Sequence, residues 1–321
     1  MSEIPSTVPT HVHYRAVFIS PHLDDAVFSC GGRIAQLQQE GPVLVLNLFT
    51  RYLADLKIHG AVMGEQRHQE ERDAAEFLGF ESRCLDELDA PFRRDAYRKL
   101  GNLFRPPCQQ DLDWLPSLRD KLFGILTGMN FDELYVPLGI GWHVDHVLTY
   151  LTFETWADKE QLLYYEDAPY CCIPHATRYR LNDIANYPHD PCDHSLTATN
   201  ELTAWWQVAS AYADTTLMKN LQPWIVRQFA VPTISYYLFR LMTWHRRQAH
   251  LIKKHDLHPL VIPIAEQLNR KIAAMDLYHS QFGEFFSSRQ ECIATLSAYV
   301  KSTDNNHAMV ERLWTVAISD T

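Results

Sequence analysis

The sequence predicts an α/β fold, a Rossmann-like and mostly parallel sheet with helices on both faces, continued by a helical C-terminal extension. Two observations predict it. Short, nearly continuous apolar runs alternate with amphipathic stretches of helical period along the first two hundred residues. The apolar runs carry no polar alternation, as expected of strands covered on both sides. Strands joined by crossover helices imply parallel neighbours, and such sheets hold ligands beyond the carboxyl ends of their strands.

In order, Ala16-Val17-Phe18-Ile19-Ser20 reads as a strand stopped by Pro21, and Asp25 to about Gln39 as a helix closed near Gly41. Val43 to Phe49 (VLVLNLF) is the second strand, and Met63 to Leu78 is a charged amphipathic helix ending at Gly79. A third extended segment falls near Arg83 to Leu88, a helix over Leu115 to Met129, and a further buried strand at Glu133 to Pro137. Asp145 to about Ala157 reads as helix and Gln161 to Glu166 as strand. Residues 1–200 are thus expected to form the catalytic α/β domain, with 201–321 a mainly helical extension packed on it. The extension carries aromatic residues (Trp205, Trp206, Tyr212, Trp224, Tyr236, Tyr237, Trp244) that read first as core, and a basic group (Arg246, Arg247, Lys253, Lys254) that reads as a solvated face.

Composition narrows the function. With 321 residues and 46% hydrophobic side chains the chain can bury a large core. Twenty-nine basic against 39 acidic residues, a formal charge of −10, is the wrong sign for gripping a phosphate backbone, so no nucleic acid partner is expected. No run of about 18 apolar residues suggests a transmembrane segment, and the first residues lack the pattern of a secretory leader. The expectation is a cytoplasmic protein that acts on a small molecule, with homo-oligomer formation left open. The seven cysteines are scattered without metal-type pairing, and read as reduced thiols.

The chemistry concentrates in two loops. Directly after the first strand stand His22-Leu23-Asp24-Asp25, and after the strand at 133–137 stand His143-Val144-Asp145-His146. Each pair three apart can converge across a strand-to-helix turn, so His, Asp and His can be offered to one divalent ion with a position left open for water. Asp24, pointing away from Asp25, can face that water. Taken singly, Asp24 or Asp25 could merely cap a helix and the histidines could be ordinary core residues. Two such clusters at corresponding edges of one sheet are hard to explain that way.

At these residues the sequence resembles the LmbE-like de-N-acetylases, which include the N-acetylglucosaminyl-phosphatidylinositol deacetylases and enzymes of mycothiol, bacillithiol and glycopeptide-antibiotic pathways. Their H-x-D-D and H-x-D-H loops match His22–Asp25 and His143–His146. The resemblance implies His22, Asp25 and His146 as ligands of Zn2+, with other divalent metals such as Fe2+ open. It further implies Asp24 as general base, His143 stabilising or protonating the intermediate, and Asp145 orienting His143. Arg67, Glu70, Ala74, Ala75, Leu78 and Gly79 match a family helix in which the Arg67 position contacts substrate, and Lys271–Gln281 match a terminal element. Gly141 stands where some members have tyrosine. The implied substrate is an N-acylated amino sugar or its conjugate. Asp89, Arg93, Glu166 and Asp167, near strand ends, are further candidates for substrate hydroxyls. The same ligand set also suits a non-haem iron oxygenase, and the aromatic tract suits a non-catalytic glycan-binding protein.

Overall fold

The computed structural model describes residues 12–53, 64–186, 201–215, 224–248, 252–303 and 308–317. The chain runs β1 (His13–Ser20), α1 (Asp25–Leu37), β2 (Val43–Asn47), α2 (Gly64–Leu78), β3 (Glu81–Cys84), a short α3 (Ala90–Arg93), α4 (Gln109–Thr127), β4 (Asn130–Pro137), α5 (Val144–Phe153), β5 (Leu162–Tyr165) and α6 (Ala176–Ile184). There follow α7 (Glu201–Asp214), α8 (Trp224–Gln248), β6 (Leu257–Pro263), α9 (Leu268–Met275), α10 (His279–Phe285), α11 (Arg289–Thr303) and β7 (Val310–Val316). Among the described residues no helix is long and apolar enough to cross a membrane.

The seven strands lie in the order β3-β2-β1-β4-β5-β7-β6. β3 to β5 pair in parallel, whereas β7 joins β5, and β6 joins β7, antiparallel. The expected fold class is therefore present, with an addition. The stretch after residue 200 is not helical throughout, since it closes the sheet with two strands. β6 escapes a sequence reading because His258-Pro259-Leu260 and Pro263 break the strand pattern, yet prolines are tolerated at an edge.

β1 sits mid-sheet, and Ala16 to Ile19 are all fully buried, as a strand with helices on both faces requires. Its partner β4 is held in a register that sets Phe18 opposite Tyr135, whose rings stack at 4.1 Å. α4 begins six residues before its expected start, despite Pro116 inside it. The reason is tertiary: Asp111 in its first turn is fully buried against Arg93 and Arg94.

α1 is kinked at Cys30 (φ −124°), which frees amides from the helical ladder. Glu311 of β7 accepts from the freed Gly32 and Arg33 amides at 2.8 Å each, and also from Lys271 Nζ of α9 at 2.7 Å. Lys271 further donates to the Ser29 carbonyl, so one buried ion pair ties α1, α9 and β7 together. Gly32 is required there, because a Cβ would lie 2.8 Å from Ile264.

In the extension, Val208, Ala209, Ile234, Leu238 and Leu241 face inward, whereas Trp206, Tyr236 and Phe239 are exposed. Trp206 and Tyr236 thus depart from the expected core role, because the aliphatic residues of α7 and α8 take the inward face. Tyr212 and Trp244 are half-buried, and the side chains of Trp205, Trp224, Tyr237 and Arg246 lie outside the described residues. Arg247, Lys253 and Lys254 are exposed, as read. Six of the cysteines are free thiols, and Cys192 lies outside the described residues.

Lys271→Met leaves the Glu311 carboxylate buried without a counter-charge, and removing one partner of a buried pair costs about 3 kcal/mol or more. A lower midpoint in urea unfolding is expected, and an unchanged midpoint would refute the role of the pair.

Candidate active site

Both sequence-predicted loops open at the same sheet edge, because β1 and β4 are parallel neighbours. The first is fixed by Ser20, whose hydroxyl donates to the His22 carbonyl and accepts from the Ala26 amide. Asp25 opens α1 and its Oδ2 accepts from the His22 amide at 2.8 Å. Asp24 occupies the N-cap position but makes no side-chain capping bond. Its Oδ1 instead accepts from Arg67 Nη2 of α2 at 2.9 Å. The capping explanation for Asp24 therefore fails.

The second loop leaves β4 through Gly139, Gly141 and Trp142, all at positive φ. Gly141 is doubly constrained, since a Cβ there would lie 2.6 Å from the Tyr170 ring. Tyr170 thus fills space that a larger residue at 141 would need. Trp142 is held in its left-handed conformation by an indole bond to Asp183 at 3.1 Å. His143 caps α5, its Nδ1 accepting from the Asp145 amide at 3.3 Å. A neutral His143 therefore carries its proton on Nε2.

The imidazoles of His22, His143 and His146 meet pairwise, with ring centroids 5.0, 5.4 and 5.3 Å apart and ligand nitrogens within 4.8 Å of one another. Asp25 Oδ2 stands between two of them, 3.0 Å from His22 Nδ1 and 3.2 Å from His146 Nε2. Metal bonds of about 2.0–2.1 Å in a tetrahedron set ligand atoms about 3.3 Å apart, so these three atoms fit a shared cation.

The outward nitrogens are also held. His146 Nδ1 meets Asp167 Oδ1 at 2.6 Å, while Asp167 Oδ2 accepts from the Ile140 amide, so one carboxylate braces both the imidazole and the loop. His22 Nε2 meets Asp145 Oδ2 at 3.1 Å. Such carboxylate–imidazole pairs orient metal-binding histidines. Asp145 is fully buried and also accepts from Arg93 at 2.6 Å and from the Ala90 amide. Its expected partner was His143, but the carboxylate turns to His22 and only its backbone amide reaches His143. A second convergent group, His22, Asp89 and Asp145, shares the His22 side chain. Asp145 is committed to Arg93 there, which disfavours it as a ligand.

The remaining candidates divide. Arg67 reaches Asp24 beside the cluster, whereas Asp89 lies 3.8 Å from His22 Nε2, the nitrogen turned away from Asp25. Arg93 is buried against Asp111, Asp145 and the Leu88 carbonyl, and acts as a brace without a free donor face toward the site. Glu166 is not brought to the cluster. Its oxygens take Arg312, Trp314, Tyr299 and Thr177, an ion-pair network beneath β5 and β7 that leaves no acceptor for substrate. The bracing roles of Asp167 and Asp111 have no signal in the sequence, since each depends on a contact made only by the folded chain.

The electrostatics suit a cation. Asp24, Asp25, Asp89, Asp145 and Asp167 crowd one pocket against Arg67 and Arg93. Burial works against a charged His22, but its bonds to Asp145 and Asp25 hold the imidazole well above its usual range. For His146, burial is likewise outweighed by Asp25 and Asp167, which carry it to about 9. Burial, together with the charge on His22, pushes His143 well below its ordinary value. Burial raises Asp24 against the pull of Arg67, and raises Asp89 to about 6.

Residues 17–157 match the family described as PIG-L, GlcNAc-PI de-N-acetylase. The chain is 28% identical over 177 residues to the 2'-N-acetylparomamine deacetylase of Streptomyces fradiae, covering 49% of this chain and 57% of that protein. It is 28% identical over 185 residues to the protein of the same name from Niallia circulans, covering 48% and 66%. It thus spans less than two thirds of either relative. Among solved structures, an A40926 pseudoaglycone deacetylase superposes with a TM-score of 0.58 at 18% identity, covering 95% of this chain and 98% of that one. A deacetylase of teicoplanin biosynthesis superposes with 0.61 at 17% identity, covering 96% and 100%. These two likenesses establish the shared fold.

Arg93→Leu leaves Asp145 charged and fully buried, and is expected to cost about 3–5 kcal/mol of stability. Chemical denaturation that shows no loss would mean that Asp145 is compensated elsewhere.

Proposed function

We propose, from the PIG-L family domain that residues 17–157 carry, that the protein is a metal-dependent hydrolase removing an N-acyl group, in the first instance acetyl, from an amino sugar conjugate. The observation that carries this reading is that the Asp25 carboxylate lies against both His22 and His146, with His143 in the same imidazole cluster and the Asp24 side chain making no helix-capping bond. The names of the two relatives, both deacetylases of 2'-N-acetylparomamine, support the substrate class.

His22 Nδ1, Asp25 Oδ2 and His146 Nε2 would hold the cation, and a two-nitrogen, one-carboxylate set suits Zn2+ first and Fe2+ second. When bound there, such an ion polarises an amide carbonyl and acidifies water. Asp24 is placed to accept the proton of the attacking water through Oδ2, since Oδ1 is taken by Arg67. Burial raises the pKa of that carboxylate, and the Arg67 guanidinium opposes the rise. His143 presents Nε2–H to the oxygen that gains charge as the tetrahedral centre forms. The proton taken by Asp24 passes to the nitrogen as the C–N bond breaks, leaving a carboxylic acid and a free amine. Arg67 and Asp89 form the polar wall where sugar hydroxyls can bond.

Acetate release, measured with the metal-loaded protein across N-acetylhexosamine conjugates, tests the function, and no release from any of them would overturn it. Asp24→Asn should keep its metal and lose on the order of 10²- to 10⁴-fold in turnover. Normal turnover in that variant would end the base assignment. His146→Ala should bind little metal by elemental analysis, and an undiminished content would remove His146 from the ligand set.

A further inference from the structure

Residues 215–255 contain no aspartate or glutamate and seven of the 29 lysines and arginines, although the chain as a whole carries 39 acidic residues and a net charge of −10. The local charge is opposite in sign to that of the protein. α8 occupies most of this stretch. Its Ile234, Leu238, Leu241 and His245 are buried, whereas Pro232, Tyr236, Phe239, Arg240 and Arg247 are exposed. The exposed positions recur with the helical period, so they form one stripe along the outer face, opposite the buried one. Trp206 of α7, Tyr236 and Phe239 are 56%, 64% and 59% exposed, the highest values of any large apolar side chain among the described residues. The Arg240 guanidinium lies 6.0 Å from the centre of the Tyr236 ring, and Lys253 and Lys254, just beyond the helix, are exposed as well. Rings and positive charges thus share one surface.

We propose that the outer face of α8 is a docking surface for an anionic bilayer, on which the protein lies without spanning it. The inference goes beyond the hydrolase reading and does not depend on it. A helix face that meets only water gains nothing from exposed rings. At a bilayer surface both features are used: aromatic rings settle at the level of the headgroups, and lysine and arginine are drawn to anionic lipids. The absence of any acidic residue from the stretch removes the repulsion that the rest of this acidic chain would meet there. A soluble polyanion needs only the charges, and the rings would stay in water, so the rings favour the bilayer. Contact is superficial, because among the described residues no helix is long and apolar enough to cross. The inner residues of α8 are already held by the fold, so the helix can rest on lipid without leaving the protein.

The test is flotation of the full chain with vesicles of phosphatidylcholine alone and with vesicles of phosphatidylcholine and phosphatidylserine in equal parts, beside a heparin column as the soluble polyanion. A basic side chain near an anionic surface strengthens binding about fivefold. The mixed vesicles are therefore expected to bind on the order of tenfold tighter or more than the neutral ones, and high salt should remove most of the difference. Tyr236→Ser combined with Phe239→Ser should weaken binding to the mixed vesicles by about tenfold and leave the thermal midpoint unchanged, since both rings are exposed. Arg240→Glu combined with Lys253→Glu serves if the first variant does not fold, and should weaken binding to the mixed vesicles at least as much. No binding to either vesicle, or equal binding to both, overturns the proposal. So does undiminished vesicle binding in the folded variants, and so does retention on heparin without vesicle binding, which assigns the face to a soluble polyanion. Because the readout is binding to lipid without turnover, its failure leaves the hydrolase reading untouched, and a failure of hydrolysis leaves the docking surface standing.

Discussion

Everything at the candidate site depends on the parallel pairing of β1 with β4. β1 has β2 on one side and β4 on the other, so the chain reverses its direction of travel across the sheet between β1 and β4. At such a switch point the connections leave in opposite directions and open a crevice beyond the strand ends. The register that opposes Phe18 and Tyr135 places the end of β1 beside the end of β4. His22 and His146, more than a hundred residues apart, become neighbours for that reason alone.

The second layer is charge. Five carboxylates in a water-poor pocket would repel one another, and four of them, Asp24, Asp25, Asp145 and Asp167, have partners that also fix a geometry. Arg93 holds Asp145, which holds His22; Asp167 holds His146 and the loop amide of Ile140; Arg67 holds Asp24. Side chains locked in this way present their remaining nitrogens and oxygens inward without further ordering cost. His143 stands apart, because its Nδ1 is turned to a backbone amide and its charge is suppressed by burial and by His22. It is thus fitted to donate a hydrogen bond while remaining neutral.

The part of the chain after residue 200 serves the site from outside. β7 brings Glu311 to the kink in α1, the helix that begins at Asp25. α8 contributes Ile234, Leu238 and Leu241 to a cavity that Phe104 and Tyr170 also line. The same region accounts for Glu166, whose network with Arg312, Trp314 and Tyr299 fastens β5 to β7 and α11.

By itself the sequence determined the fold class, the strand-to-loop position of both polar motifs, and the residues that line the cluster. Those features are local: apolar period, strand ends and the spacing of His and Asp within four residues. Only the tertiary structure decided that Asp145 braces His22 through its carboxylate, that Asp167 braces His146, and that Arg93 and Glu166 are bound to other side chains. Only it revealed that β6 and β7 complete the sheet and that Phe104, Tyr170 and α8 line one cavity. Each of these is a pairing between segments far apart in the chain, and long-range pairing is set by which surfaces pack, a property no local pattern of residues encodes.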